Sequence, residues 1–224
     1  MDSRIIFIFA CIFCFCGQNL TAQPASNHLN DENLPDEQRF WEIGYKMDEA
    51  IRDGGWIYEN DKMTRYMQGT FELLFPEFIG VVKVRIFYST KLNAFVLPNG
   101  SIYPSLGLIA KAQNEAQIAS VLAHEGAHFL QNHSLLKRQV FKNAKIVFGI
   151  RNAIKDLSNY SRELELEADK ISFERMRNVG YDTNQAIELF QMLEDEADKS
   201  GLKSNSKFDS HPALVDRINH FKEL

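Results

Sequence analysis

The order of hydrophobic patterns along the chain predicts an α+β domain, mainly helical, with a small sheet near the middle of the sequence. Three observations carry that prediction. Apolar residues recur at three- and four-residue spacing before residue 80. Val82, Val84 and Ile86 then alternate with Lys83 and Arg85. From Leu106 onward the spacing is helical again nearly to the end, with no internal repeat. A chain of 224 residues suits one domain with a real core.

Taken in order, residues 1–22 read as a signal peptide. Arg4 precedes an apolar run from Ile5 to Cys16, too short to span a bilayer comfortably, and Ala22 offers a small residue for cleavage. This places the mature protein in the periplasm or outside the cell. The alternative is an uncleaved membrane anchor made of residues 5–16, and membrane association is expected only through this N-terminus. All 3 cysteines, Cys11, Cys14 and Cys16, lie in the leader. The mature chain then has neither a disulfide framework nor a thiolate metal site, and a metal would be held by His and carboxylates. Residues 23–35 are a polar linker, and residues 36–224 form the single domain. The net charge is −5 and no run of Lys or Arg stands out, which argues against nucleic acid as a partner.

Within the domain, Phe40, Ile43, Met47 and Ile51 mark a helix that Gly54 and Gly55 stop. A second amphipathic stretch runs to about Phe78. The segment "VVKVRIFYS" is a half-buried strand. "LNAFVLPNGSIYPS" is two short strands around a turn at Pro98, Asn99 and Gly100, and Pro98 and Pro104 suit an edge strand better than a central one. The polar "KSGLKSNSKFDSHP" is a loop before a final helix.

The chemistry lies in "VLAHEGAHFLQNH", where His124, Glu125 and His128 form H-E-x-x-H. On a helix the two histidines are about 40° apart, and Glu125 is rotated about 100° from His124. Two imidazoles one turn apart can share a zinc ion, with Glu125 facing water beside it. Val121, Leu122, Ala123, Ala127, Phe129 and Leu130 make most of the circumference apolar, so the helix is buried with its histidine side polar. The competing reading is an exposed polar stripe that happens to contain two histidines.

A third ligand must come from elsewhere, and "SNYSRELELEADKISFERMRNVG" is the best source. Glu163, Glu167, Lys170, Glu174 and Arg177 form one solvated stripe of this helix. Glu165 projects to the opposite side, in line with Ala168, Ser172, Met176 and Val179. A carboxylate on a buried face needs a compensating partner, either a metal ion or an arginine such as Arg162. Asp169, one turn on, suits a group that orients a ligand histidine.

Four blocks together resemble the H-E-x-x-H zinc metallopeptidases that include the CAAX prenyl endopeptidase, HtpX and the BepA-type proteases. The blocks are "NAFVLPNGSIYPSLGLI", "NEAQIASVLAHEGAHFLQNH", "SRELELEADKIS" and "FDSHPALVDRI". No long transmembrane segment of the kind in the prenyl protease or HtpX is evident, so the small soluble branch is the closer relative. The resemblance implies a zincin-like peptidase domain with a small edge-strand sheet beside the H-E-x-x-H helix. It implies one zinc per chain, bound by His124, His128 and Glu165, with Glu125 as general base. His211 matches the histidine of the C-terminal His-Pro segment, which assists the transition state or regulates access. Asn93, Ala94 and Phe95 belong to an edge strand that would bind polypeptide substrate as an added strand. The resulting activity is metalloendopeptidase hydrolysis of protein substrates, with envelope protein quality control as a setting. A zinc-containing, chaperone-like or latent protein is the alternative. Gly126 departs from the family, which usually has a bulky apolar residue there. It is expected to admit a neighbouring backbone closely or to loosen the site. Residues before about 80 carry no specific match, and the oligomeric state is not legible.

Overall fold

Helix α1 (Asp36–Asp53) follows the predicted spacing, burying Phe40 and Ile51 and ending at the two glycines. The computed structural model of the protein describes residues 36–137 and 150–199. The leader, the linker, the polar loop after residue 199 and His211 lie outside the described residues. Helix α2 (Asp61–Leu74) starts where the Asn60 side chain accepts a hydrogen bond from the Met63 amide at 3.0 Å. It stops at Phe75 because the residue before a proline is pushed out of helical conformation, and Pro76–Phe78 make one 3-10 turn.

The sheet is small and mixed. Strands β1 (Lys83–Val84) and β2 (Ser101–Ile102) pair in parallel, Lys83 opposite Ser101 and Val84 opposite Ile102. Backbone bonds extend the pairing. Arg85 donates to the Ile102 carbonyl at 2.8 Å and Phe87 to that of Pro104 at 2.9 Å. On the other side of β2, Tyr103 donates to Phe95 at 2.8 Å and Ser105 to Asn93 at 2.9 Å. At the opposite margin Tyr58 donates to Ile86, and Tyr88 to Trp56, both at 2.8 Å. Segment 93–97 is therefore an outer edge, and its hairpin partner 101–105 is inserted between it and β1. Pro104 stands in this inner segment, not in an edge strand as expected. A proline has no N–H to return to the neighbouring strand, so the ladder loses one bond there and resumes when Leu106 donates to Phe87 at 2.9 Å. Gly100, at φ 81°, closes the hairpin.

Helix α3 (Leu106–Lys111) is capped by Ser105 and helix α4 (Glu115–Leu130) by Asn114, whose side chain accepts from the Gln117 amide at 3.0 Å. The region read as continuously helical is thus interrupted between Lys111 and Glu115. Further breaks fall after Leu130 and between α5 (Ile150–Asn178) and α6 (Asn184–Lys199). Helix α4 is the axis of the fold and packs against α2, β2, α5 and α6. Phe71, Phe75, Phe78, Val82, Val84, Ile102 and Phe129 fill the space between it and the α2–sheet side. Phe173, Met176, Ala186 and Phe190 fill the α5–α6 side. Even its histidine face is buried, so no exposed polar stripe exists on it. Among the described residues no helix is long and apolar enough to cross a membrane.

Candidate metal centre

His124 and His128 point from α4 toward α5, and Glu165 points back from α5. The solvated stripe is where periodicity puts it, with Glu163, Glu167, Lys170, Glu174 and Arg177 all exposed. On the opposite side Glu165, Ala168, Asp169, Ser172 and Met176 are buried. The Ser172 hydroxyl donates to the Ser120 carbonyl at 3.3 Å, which helps hold the two helices in register.

The donor atoms converge. His124 Nε2 lies 3.0 Å from His128 Nε2 and 3.3 Å from Glu165 Oε2. His128 Nε2 lies 3.5 Å from Glu165 Oε1. One ligand atom from each residue falls within 4.8 Å of the others. Donors about 2.0–2.1 Å from a tetrahedral ion stand about 3.3 Å from each other, so the spacing matches that of a metal's ligand set. Proton accounting points the same way. His124 Nδ1 lies 3.0 Å from Asp169 Oδ1, which holds a proton on Nδ1 and leaves a lone pair on Nε2. That lone pair faces a second imidazole nitrogen and a carboxylate. Burial also pushes the His128 imidazole well below its ordinary range, which favours its neutral, ligating form. Acceptors turned toward acceptors in a dry interior call for a cation, and neutral imidazoles with a carboxylate are the chemistry a divalent ion binds. The residues present fit the metal that the sequence pattern implies.

Glu125 is buried on the same helix, rotated from the two histidines. Among the described residues, His133 and Lys137 reach the centre, and sequence reading did not assign them. Lys137 Nζ lies 3.3 Å from Glu165 Oε1. His133 Nδ1 lies 2.8 Å from His128 Nδ1. His133 was hidden because five residues along an unbroken helix is about 140° from His128. Asn132, at φ 61°, breaks α4 in the left-handed conformation that Asn tolerates and swings His133 inward. An Asn just past the last helical residue, followed by a His, was the available signal.

Gly126 accommodates a ring rather than a backbone. A Cβ there would stand 2.4 Å from Cε2 of Phe75, itself fully buried and stacked on Phe71. The bulk expected at position 126 is thus supplied from the end of α2.

The sequence profile of peptidase family M48 matches residues 72–155 and 137–224. The chain belongs to peptidase family M48. Among curated relatives, metalloprotease YcaL of Escherichia coli (strain K12) is 28% identical over 163 residues, covering 63% of this chain and 61% of the relative. Mitochondrial metalloendopeptidase OMA1 of Schizosaccharomyces pombe is 30% identical over 145 residues, covering 58% of this chain and 43% of the relative. A putative beta-barrel assembly-enhancing protease of Vibrio cholerae is 28% identical over 158 residues, covering 59% and 32%. The chain thus spans between 32% and 61% of the length of these relatives. Helix α1 and most of α2 precede the M48 match, in agreement with the lack of a specific pattern there.

Segment 93–97, which holds Asn93, Ala94 and Phe95, bonds to the inner segment on one side. The carbonyls of Asn93 and Phe95 bond inward to Ser105 and Tyr103. By the alternation of an antiparallel pair, the backbone groups of Ala94 and Val96 are directed away from the inner segment, toward the outer edge.

Proposed function

We propose that this member of the M48 family is a zinc metalloendopeptidase that hydrolyses peptide bonds of protein substrates outside the cytoplasm. The observation that carries the reading is the convergence of His124, His128 and Glu165 donor atoms on one point between α4 and α5. These three residues would hold one zinc ion, which when bound supplies a Lewis acid for the scissile carbonyl and lowers the pKa of water toward about 7. Glu125 is the general base that takes a proton from the attacking water and passes it to the leaving amine, work worth roughly 10²- to 10⁴-fold. Asp169 holds His124 by its Nδ1 hydrogen. His211 is the proposed further polar group at the reacting carbonyl. The outward backbone of Ala94 and Val96 offers a template for an extended polypeptide, with Asn93 and Phe95 bordering it. The apolar run Ile5–Cys16 supports export, and the name of the Vibrio cholerae relative supports a setting in envelope protein quality control. Retention of Glu125 beside the ligand set favours an enzyme over a latent, chaperone-like protein.

The test is a zinc determination and a cleavage assay on untagged full-length protein with casein as an unfolded substrate. About one zinc per chain is expected, with cleavage abolished by chelator. Glu125→Gln should keep the zinc and lose at least about 10²-fold in rate. A Glu125→Gln protein that cuts casein at the wild-type rate would show the mechanism to be wrong.

A further inference from the structure

Each histidine of the cluster has a second ring nitrogen, and the two are supported differently. His124 Nδ1 meets the buried carboxylate of Asp169 at 3.0 Å. His128 Nδ1 meets His133 Nδ1 at 2.8 Å, a distance at which the two nitrogens must share one proton. His128 turns Nε2 toward His124 and Glu165, where a lone pair is required, so a neutral His128 carries its proton on Nδ1. It therefore donates to His133 Nδ1. A neutral His133 then carries its own proton on Nε2, which lies 3.4 Å from Glu167 Oε2 though not aligned as a hydrogen bond. His133 is fully buried, with its ring 4.9 Å from that of His128 and inclined by 75°. Its Nδ1 thus faces His128 as the acceptor of that one proton.

We infer that His133 is a positioning residue that fixes the tautomer and ring orientation of His128 for the metal, with Glu167 behind it. The two ligand histidines are thus backed unequally. A carboxylate behind His124 adds negative charge next to its ring and raises its basicity. A neutral imidazole behind His128 orients that ring without placing a second carboxylate against it. The left-handed residue Asn132 is what brings His133 to this place.

The inference rests on the zinc reading, and its test separates the two. Zinc affinity is measured by competition with a fluorescent chelator, and ligand geometry by the visible spectrum of Co²⁺-loaded protein. His133→Leu removes the acceptor at similar volume and should weaken zinc binding by about 10- to 100-fold and shift the cobalt bands. His133→Asn places an amide oxygen near the Nδ1 position and should restore most of the affinity. Glu167→Gln should have a smaller effect than His133→Leu. If the Leu and Asn variants bind zinc equally well, or equally poorly, the proposed hydrogen bond has no part in metal binding and the inference is overturned. An arm on the zinc-loaded wild type is independent of how the variants fold. Long-range ¹H–¹⁵N correlation on ¹⁵N-histidine protein should show a proton on His128 Nδ1 and none on His133 Nδ1, and the reverse assignment overturns the inference. Wild-type protein that takes up no zinc overturns the metal reading together with it. Wild-type zinc uptake with indifferent variants overturns the role of His133 alone.

Discussion

Two buried polar clusters in this molecule differ in how their hydrogen bonds balance. Around Asp48, every contact pairs an acceptor with a donor. The Tyr103 hydroxyl donates to Oδ1 at 2.5 Å, Arg85 donates to Oδ1 at 2.9 Å, and Arg52 donates to Oδ2 at 3.0 Å. Burial pushes the Asp48 carboxyl up, but the hydrogen bonds from Tyr103, Ser101 and Arg52 and the charge of Arg85 together hold it below its usual value. The cluster ties α1 to both strands of the parallel pair and is complete in itself. Around His124, His128 and Glu165, the Nε2 atoms of two imidazoles and a carboxylate converge, with Lys137 donating to Glu165 Oε1. Glu125, Glu165 and Asp169 are three buried carboxyl groups, and among the described residues the Lys137 ammonium lies 3.3 Å from Glu165 Oε1. A polar cluster that satisfies itself is a structural device, and one made of converging acceptors is a place for a cation.

The largest effect that tests the contrast is at the second cluster. Glu165→Gln should bring the zinc content well below one per chain and lower kcat/KM by about 10²-fold or more, with the helical circular dichroism intact. At the first cluster the outcome should invert. Asp48→Ala should cost about 3 kcal/mol in urea denaturation, because it leaves Arg85 and the Tyr103 hydroxyl without their acceptor, while the folded fraction keeps its zinc and its kcat. Retention of full stability by that variant would remove the basis of the comparison. The same variant carries a pH signature. A carboxyl depressed in the folded state contributes its stability above the unfolded pKa of about 3.9 and loses it as pH falls through the lower folded value. The stability gap between wild type and Asp48→Ala should therefore be largest near neutrality and narrow below about pH 4.

A smaller effect is expected at Gly126→Ala. The added methyl collides with Phe75, and overpacking of this kind costs about 1–3 kcal/mol, partly offset by about 1 kcal/mol of helix propensity. A thermal melt should show a net loss, and pairing it with Phe75→Leu should recover part of it. The smallest effect belongs to the exposed stripe of α5. Glu174→Ala should stay within about 0.5 kcal/mol of wild type and leave zinc affinity unchanged, unlike Glu167→Gln about two helical turns away beside His133.

Much of the metal centre was legible because its ligands sit on helices, where spacing alone sets direction. His124 and His128 share a face by being four apart, and the same periodicity turned Glu165 inward while Glu163 and Glu167 faced out. The sheet was less legible. Alternation marked Val82, Val84 and Ile86 as inward, and all three are buried. It could not say that 101–105 enters between β1 and 93–97, nor that Pro104 would be tolerated there. Strand order is decided by which segments meet in space, and short segments with few residues leave little pattern to read.

By itself the sequence determined the first helix, the inward direction of His124, His128 and Glu165, and the lack of cysteine in residues 36–224, since each depends on local periodicity or on composition. Tertiary structure alone decided four other things. Asn132 turns His133 back onto His128, and Lys137 comes to Glu165. Phe75 fills the space over Gly126, and Asp48 finds donors from residues 37 and 55 positions away. The last three require packing between segments far apart in the chain, and the first, though Asn132 marks the helix end locally, has its contact set only when the chain turns back on the buried His128.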